Sequence, residues 1–160
     1  MKVINRISVY FWAIVLILID QVSKLIVINN IKFKSIAIIK GFLRFTYCEN
    51  KGAAFSLGDG HVTIFVIVNL IIIGGLIVYF EKNREKEFKS VGSKIPFIMV
   101  IAGGISNLID RITRGFVVDF IDIDELFSFA IFNVADIFIV VGIIFLAINF
   151  IVKGIKVVNK

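Results

Sequence analysis

Asp20, Asp110 and Asp136 each stand inside or at the border of a long apolar run, and Asp119 stands between Val118 and Phe120. A carboxylate at the centre of a membrane-crossing helix costs about 3 kcal/mol. Acids in such surroundings therefore turn toward a protein interior or lie near a helix end. Asp20, Ser23 and Lys24 fall at i, i+3 and i+4; Asn107, Asp110 and Arg111 repeat the spacing; Asn133 and Asp136 are three apart. On helices, each set forms one polar stripe. A purely structural use is open to all of them. Asp20–Lys24 and an Arg111 pair would neutralise charge locally, and Asn107 and Asn133 would hydrogen-bond between helices.

Asp119 and Asp136 differ from the rest, because neither has a basic residue three or four positions away. Two acids in apolar surroundings cannot both ionise cheaply, so one keeps a proton. That is the working state of an aspartic peptidase, in which one carboxylate activates water and the other protonates or polarises the scissile carbonyl. It is equally the state of a relay pair in a small proton- or cation-coupled carrier. Spacing does not choose between the two.

Other chemistries lack their residues. There is no Ser-x-x-Lys, Gly-x-Ser-x-Gly, His-Glu-x-x-His or phosphate-binding Gly-rich loop. Ser106 follows Gly-Gly-Ile, but the only His, His61, is far away in sequence and reads as a helix-end residue. The only Cys, Cys48, reads as a small residue on a strand, excludes an internal disulfide, and follows Thr46 and Tyr47, not the small residues of a lipidation site. The single Cys excludes a multi-cysteine metal site, and the single His excludes a poly-His metal centre.

The elements that position these groups follow from composition. Of 160 residues, 59% are hydrophobic and 19% charged, with 17 Phe. A soluble domain of this size could not hide that much apolar material, so the expectation is one multi-spanning membrane domain. Four runs are long enough to cross: about 8–28, 62–80, 95–112 and 133–152. The first follows Lys2 and Arg6 like a secretory signal, but no small-x-small site follows, so it reads as an uncleaved span. Between the first two runs, Gly41–Cys48 alternates: Phe42, Arg44, Thr46 and Cys48 share one face and Leu43, Phe45 and Tyr47 the other. Asn50-Lys51-Gly52 is a turn signal. A short sheet at the membrane surface fits, and Gly115–Asp122 also reads as extended. The net charge of +6 is spread over short segments between spans, which points to topology and anionic headgroups and not to nucleic acid. Ten basic residues fall with the termini and the 81–94 loop against eight on the other side, a small bias toward cytoplasmic termini.

Five blocks occur in order: Asp20-Gln-Val-Ser-Lys24, Asn50-Lys-Gly-Ala-Ala-Phe-Ser56, Asn107-Leu-Ile-Asp110-Arg111, Gly115-Phe-Val-Val-Asp119-Phe120 and Phe132-Asn133-Val-Ala-Asp136. With four spans in place, the chain resembles lipoprotein signal peptidase, the bacterial membrane aspartic peptidase, over nearly its whole length. The resemblance implies an all-α bundle of four transmembrane helices with a small β-rich extracellular cradle and a mobile outer loop. It implies a plasma-membrane protein with cytoplasmic termini and an active site near the outer face, which cleaves prolipoproteins on the N-terminal side of a diacylglyceryl-modified cysteine. By motif, Asp119 and Asp136 would be the catalytic pair, and the resemblance implies no metal or organic cofactor. Asp20, Lys24, Asn50, Gly52, Asn107, Asp110, Arg111 and Asn133 would bind substrate or support the pair. Asp122 and Asp124 lie outside the motif. The implied partners are lipid-modified prolipoprotein signal peptides and membrane phospholipids, with the chain a monomer. The segments at 41–48 and 115–121 would hold the peptide by strand addition.

Overall fold

The computed structural model describes residues 2–32, 34–52, 62–86, 88, 91–123 and 130–158. Their elements are α1 (Lys2–Ile31), β1 (Ser35–Ile39), β2 (Leu43–Asn50), α2 (Val62–Asn83), α3 (Val91–Arg114), β3 (Val117–Asp122) and α4 (Val134–Val158). All four helices are long and apolar enough to cross a membrane. The helices run past the expected spans: α1 reaches Ile31, and α3 begins at Val91.

Burial separates the helices by role. Along α2 only Ile73 and Phe80 are buried, so nearly all its circumference is left for lipid. Half of the apolar window of α3 is buried, against 17% for α1 and 11% for α4, so α3 is the central helix. It meets α4 at two glycines. A Cβ on Gly103 would lie 2.5 Å from the Ala135 carbonyl oxygen, and one on Gly142 would lie 2.6 Å from that of Pro96. Small residues at such crossings let backbones touch where lipid offers no hydrophobic drive for association.

Two apolar clusters mark the ends of the bundle. Val9, Phe80, Phe88, Phe97 and Ile98 close one end, with the Phe80 and Phe97 rings stacked 5.2 Å apart. Val27, Ile31 and Phe120 close the other, beneath Phe45 and Tyr47. The helices therefore alternate in direction, and the start of α1 shares an end with the start of α3.

The three strands lie at the second end, in the order β1-β2-β3 and antiparallel throughout. A strand does form over most of Gly41–Cys48, but it begins at Leu43 because Gly41 turns the chain with φ 77°, its burial does not alternate, and its register against β3 shifts between Phe45 and Cys48. Asn50 belongs to the strand, and its Oδ1 accepts from Gly52 N at 3.0 Å, which makes the turn expected there. β2 is central, with β3 on one edge along Arg44–Asn50 and β1 on the other over Leu43–Thr46, so strand addition on β2 is confined to the edge beyond Thr46. On the outer edge of β3, Phe132 already pairs with Ile121. Part of the second block (53–56), His61 and Asp124 lie outside the described residues.

Candidate active site

Two local devices place the two unpaired acids. Gly115, at φ 79°, ends α3, with its N–H on the Arg111 carbonyl at 3.2 Å. Only glycine adopts this conformation freely, and β3 starts two residues later. Val118 N then donates to Asp110 Oδ2 at 3.1 Å, which fixes the start of β3 against α3. Asp119 follows, 2% exposed. The second device is a capping box at the start of α4. Asn133 Oδ1 accepts from Asp136 N at 2.9 Å, and Asp136 Oδ2 accepts from Asn133 N at 3.1 Å.

Asn133 links the two acids, since its Nδ2 donates to Asp119 Oδ1 at 2.6 Å while its backbone N holds Asp136. Asn50 Nδ2 donates to Asp119 Oδ2 at 2.9 Å, and Asn107 Nδ2 donates to Asp136 Oδ1 at 2.8 Å. Both carboxyls face one cavity of about 540 Å³, whose lining also includes Asn50, Asn107, Arg111, Ile123, Phe132 and Val140. Burial, and then the charge of Asp136, push the Asp119 carboxyl up to about 7, although Asn50, Asn133 and Lys24 pull the other way. An acid that keeps its proton near neutral pH, beside a second acid in a mostly apolar cavity, can act as one half of an acid–base pair.

Behind the cavity lies a closed charge network. Lys24 is fully buried, and its Nζ reaches Asp20 Oδ2 at 2.7 Å, Asp110 Oδ2 at 2.9 Å and Asn107 Oδ1 at 2.9 Å. Asp20 Oδ1 accepts from Ala135 N at 2.8 Å and Asp20 Oδ2 from Ser106 Oγ at 2.7 Å. Burying charges is costly unless every donor and acceptor is matched, and here each atom of the Lys24–Asp20 pair has its partner.

Three local expectations change. Ser23 turns back to the Asp20 carbonyl, so it leaves the stripe of Asp20 and Lys24. Arg111 does not pair with Asp110. Arg114 takes that place one turn on, while Arg111 Nη2 donates to Gly52 O at 3.0 Å and its guanidinium lies 5.7 Å from the Phe65 ring centre. The supporting set also gains Gln21, Ser106 and Arg114. Gln21 Nε2 donates to Ser106 Oγ at 3.0 Å and to Asp110 Oδ1 at 3.0 Å. Ser106 and Arg114 both stand at i,i+4 spacing from Asp110, one on each side, but nothing in the sequence sends Gln21, on another helix, to them. Asp122 sits apart from the cavity and accepts from Thr46 Oγ1 at 2.9 Å. Cys48 stands opposite Asp119 in the β2–β3 register, and burial raises its thiol away from the reactive form, helped by the Asp119 charge.

Residues 12–152 match the family described as Signal peptidase (SPase) II. The chain belongs to the signal peptidase II family. It is 38% identical over 140 residues to a lipoprotein signal peptidase of Fusobacterium nucleatum, covering 87% of this chain and 83% of that one. It is 40% identical over 138 residues to one from Streptococcus pneumoniae, covering 84% and 88%. A bacterial membrane enzyme solved by the in meso method at 2.3 Å superposes with a TM-score of 0.83 and 32% identity, over 92% of this chain and 89% of that one. Membership in this family makes the chain a multi-pass membrane peptidase and removes the carrier reading of its buried acids.

Proposed function

We propose that the chain removes signal peptides from prolipoproteins, cleaving before the diacylglyceryl-modified cysteine, with Asp119 and Asp136 as the catalytic pair. The observation that carries this reading is the sharing of Asn133 by the two carboxyls over one cavity. Water held between them loses a proton to the ionised carboxylate as its oxygen attacks the scissile carbonyl. The protonated carboxyl gives its proton to the carbonyl oxygen. Collapse of the tetrahedral intermediate then breaks the C–N bond: one of its hydroxyls returns a proton to the carboxylate that had protonated the carbonyl oxygen, and the proton taken from water goes to the departing amine. Both carboxyls return to their starting states without a covalent intermediate.

Arg111 and the Asn50 and Asn107 amides line the cavity and offer hydrogen bonds to the peptide. The apolar wall of Ile137, Ile139 and Val140 suits signal-peptide side chains, while the diacylglyceryl chains stay in the surrounding phospholipid. On this reading the termini are cytoplasmic, the sheet lies at the outer face, and the chain works as a monomer without nucleic acid. The test is cleavage of a diacylglyceryl-modified prolipoprotein by the purified chain in nanodiscs. Asp119→Asn and Asp136→Asn should each abolish turnover while the protein stays folded in the membrane. Full turnover by either variant would remove that aspartate from the pair.

A further inference from the structure

Three asparagines touch the two carboxyls, and an amide can present either its oxygen or its nitrogen. Which end each presents follows from partners that cannot turn round. Asn50 Oδ1 accepts from the backbone N of Gly52, so its nitrogen faces Asp119. Asn133 Oδ1 accepts from the backbone N of Asp136, so its nitrogen also faces Asp119. Asn107 has no backbone key. Its oxygen is held by Lys24 Nζ at 2.9 Å and by Asn133 Nδ2 at 3.2 Å. A flipped Asn107 would set its nitrogen against two donors.

The Lys24 ammonium cannot swing away. An ammonium has three protons, and Asp20, Asp110 and Asn107 take all three at 2.7–2.9 Å with no part of the side chain exposed. Asn107 Nδ2 is thereby aimed at Asp136 Oδ1 at 2.8 Å. Asp136 also sits in the first turn of α4, at the positive end of the helix dipole. Asp119, on a strand, has no helix dipole. The charged groups around Asp136 come from three elements: Lys24 and Asp20 on α1, Arg111 on α3 and Asp119 on β3.

We propose that Lys24 is a positioning residue: by locking the Asn107 amide it makes Asp136 the ionised member of the pair, the base that activates water, and leaves the starting proton on Asp119. This rests on the catalytic pair proposed above. The raised Asp119 carboxyl, at about 7, agrees with it.

The test compares Asp20→Asn with the double variant Lys24→Met/Asp20→Asn. The double variant removes one charge of each sign and leaves Asp110 paired with Arg114, so the buried network stays balanced. With purified enzyme in nanodiscs and a lipidated peptide, kcat and KM are measured against pH. In the double variant kcat should fall roughly tenfold, the worth of one hydrogen bond to a charged group, with KM nearly unchanged. The acidic limb should move up by about one pH unit, because the donor to the ionised partner is then oriented only by the longer 3.2 Å bond from Asn133 Nδ2. Asp20→Asn keeps Lys24 on Asn107, and its acidic limb should not rise. An unmoved limb in the double variant, or an equal rise in both, overturns the proposal. Infrared spectroscopy at pH 6 decides it without activity, and decides it alone if the double variant does not fold. The protonated-carboxyl band should vanish in Asp119→Asn and persist in Asp136→Asn, and the opposite pattern overturns the assignment. Turnover by Asp119→Asn or Asp136→Asn would instead strike the catalytic pair itself.

Discussion

At the scale of residues, the site keeps one carboxyl where water would not keep it neutral. Asp119 titrates at about 7 in the folded chain, against 3.8 as its ordinary value. The folded state therefore binds a proton that the unfolded state releases, and between these values stability falls as pH rises. Asp119→Asn should melt at a higher temperature relative to wild type at pH 8 than at pH 4, with a difference on the order of a few kcal/mol. Melting of both proteins in one detergent at the two pH values checks it, and a constant difference would mean that Asp119 titrates normally. The activity counterpart is a bell-shaped rate whose alkaline limb lies near 7, since the pair then loses its last proton. Cys48 faces Asp119 across the strand pair. Bulky alkylation there would crowd Asp119 whatever the mechanism, so Cys48→Ser, which should leave that profile in place, is the clean control for thiol chemistry.

At the scale of elements, the site depends on how closely α3 and α4 approach. Gly103 lies against the Ala135 carbonyl, one residue before Asp136. A methyl group there would meet backbone at 2.5 Å, and backbone cannot swing aside as a side chain can. Gly103→Ala should cost about 1–3 kcal/mol and lower kcat well beyond that loss of folded protein, because it displaces the cap that carries Asp136. Gly75→Ala, on α2 with open space around its Cβ position, should be nearly silent. Equal effects from the two would show that the close approach is immaterial. The sequence displayed the helices and the unpaired acids plainly, because apolar length and the absence of neighbouring bases are local facts. It could not display which partner each polar group takes. Asp110 has Arg111 beside it and Arg114 one turn on, and only the packing of α1 against α3, with Gln21 between, sends Arg114 to it. The strand pairing was hidden for the same reason, since β2 and β3 are far apart in the chain and meet only when α3 brings them together.

At the scale of the whole molecule, the alternating helices put the sheet, the start of α4 and the cavity at one end of the bundle, and the start of α1 and the end of α4 at the other. If the sheet end is external, a cysteine at Lys40 should react with an impermeant thiol reagent in intact cells, and one at Lys86 should be shielded. Labelling is best done in a Cys48→Ser background, and reversed labelling would invert the topology. The end bearing the sheet is rich in apolar surface. In β1 every residue is exposed, including Ile36, Ile38 and Ile39, and Lys34 and Lys40 flank it.

The bond from Ala135 N to Asp20 Oδ1 joins residues 115 positions apart. During synthesis at ~5–20 residues per second, on the order of 10 s passes between the emergence of one and the other. Throughout that interval the Asp20–Lys24 pair is in the membrane or its insertion machinery without its last donor, and neither acid of the pair on β3 and α4 has yet met the other. If Asp119 and Asp136 are the catalytic pair, a chain that stalls before α4 is inserted carries no peptidase activity, and an enzyme embedded among the cell's membrane proteins is silent until α4 is in place.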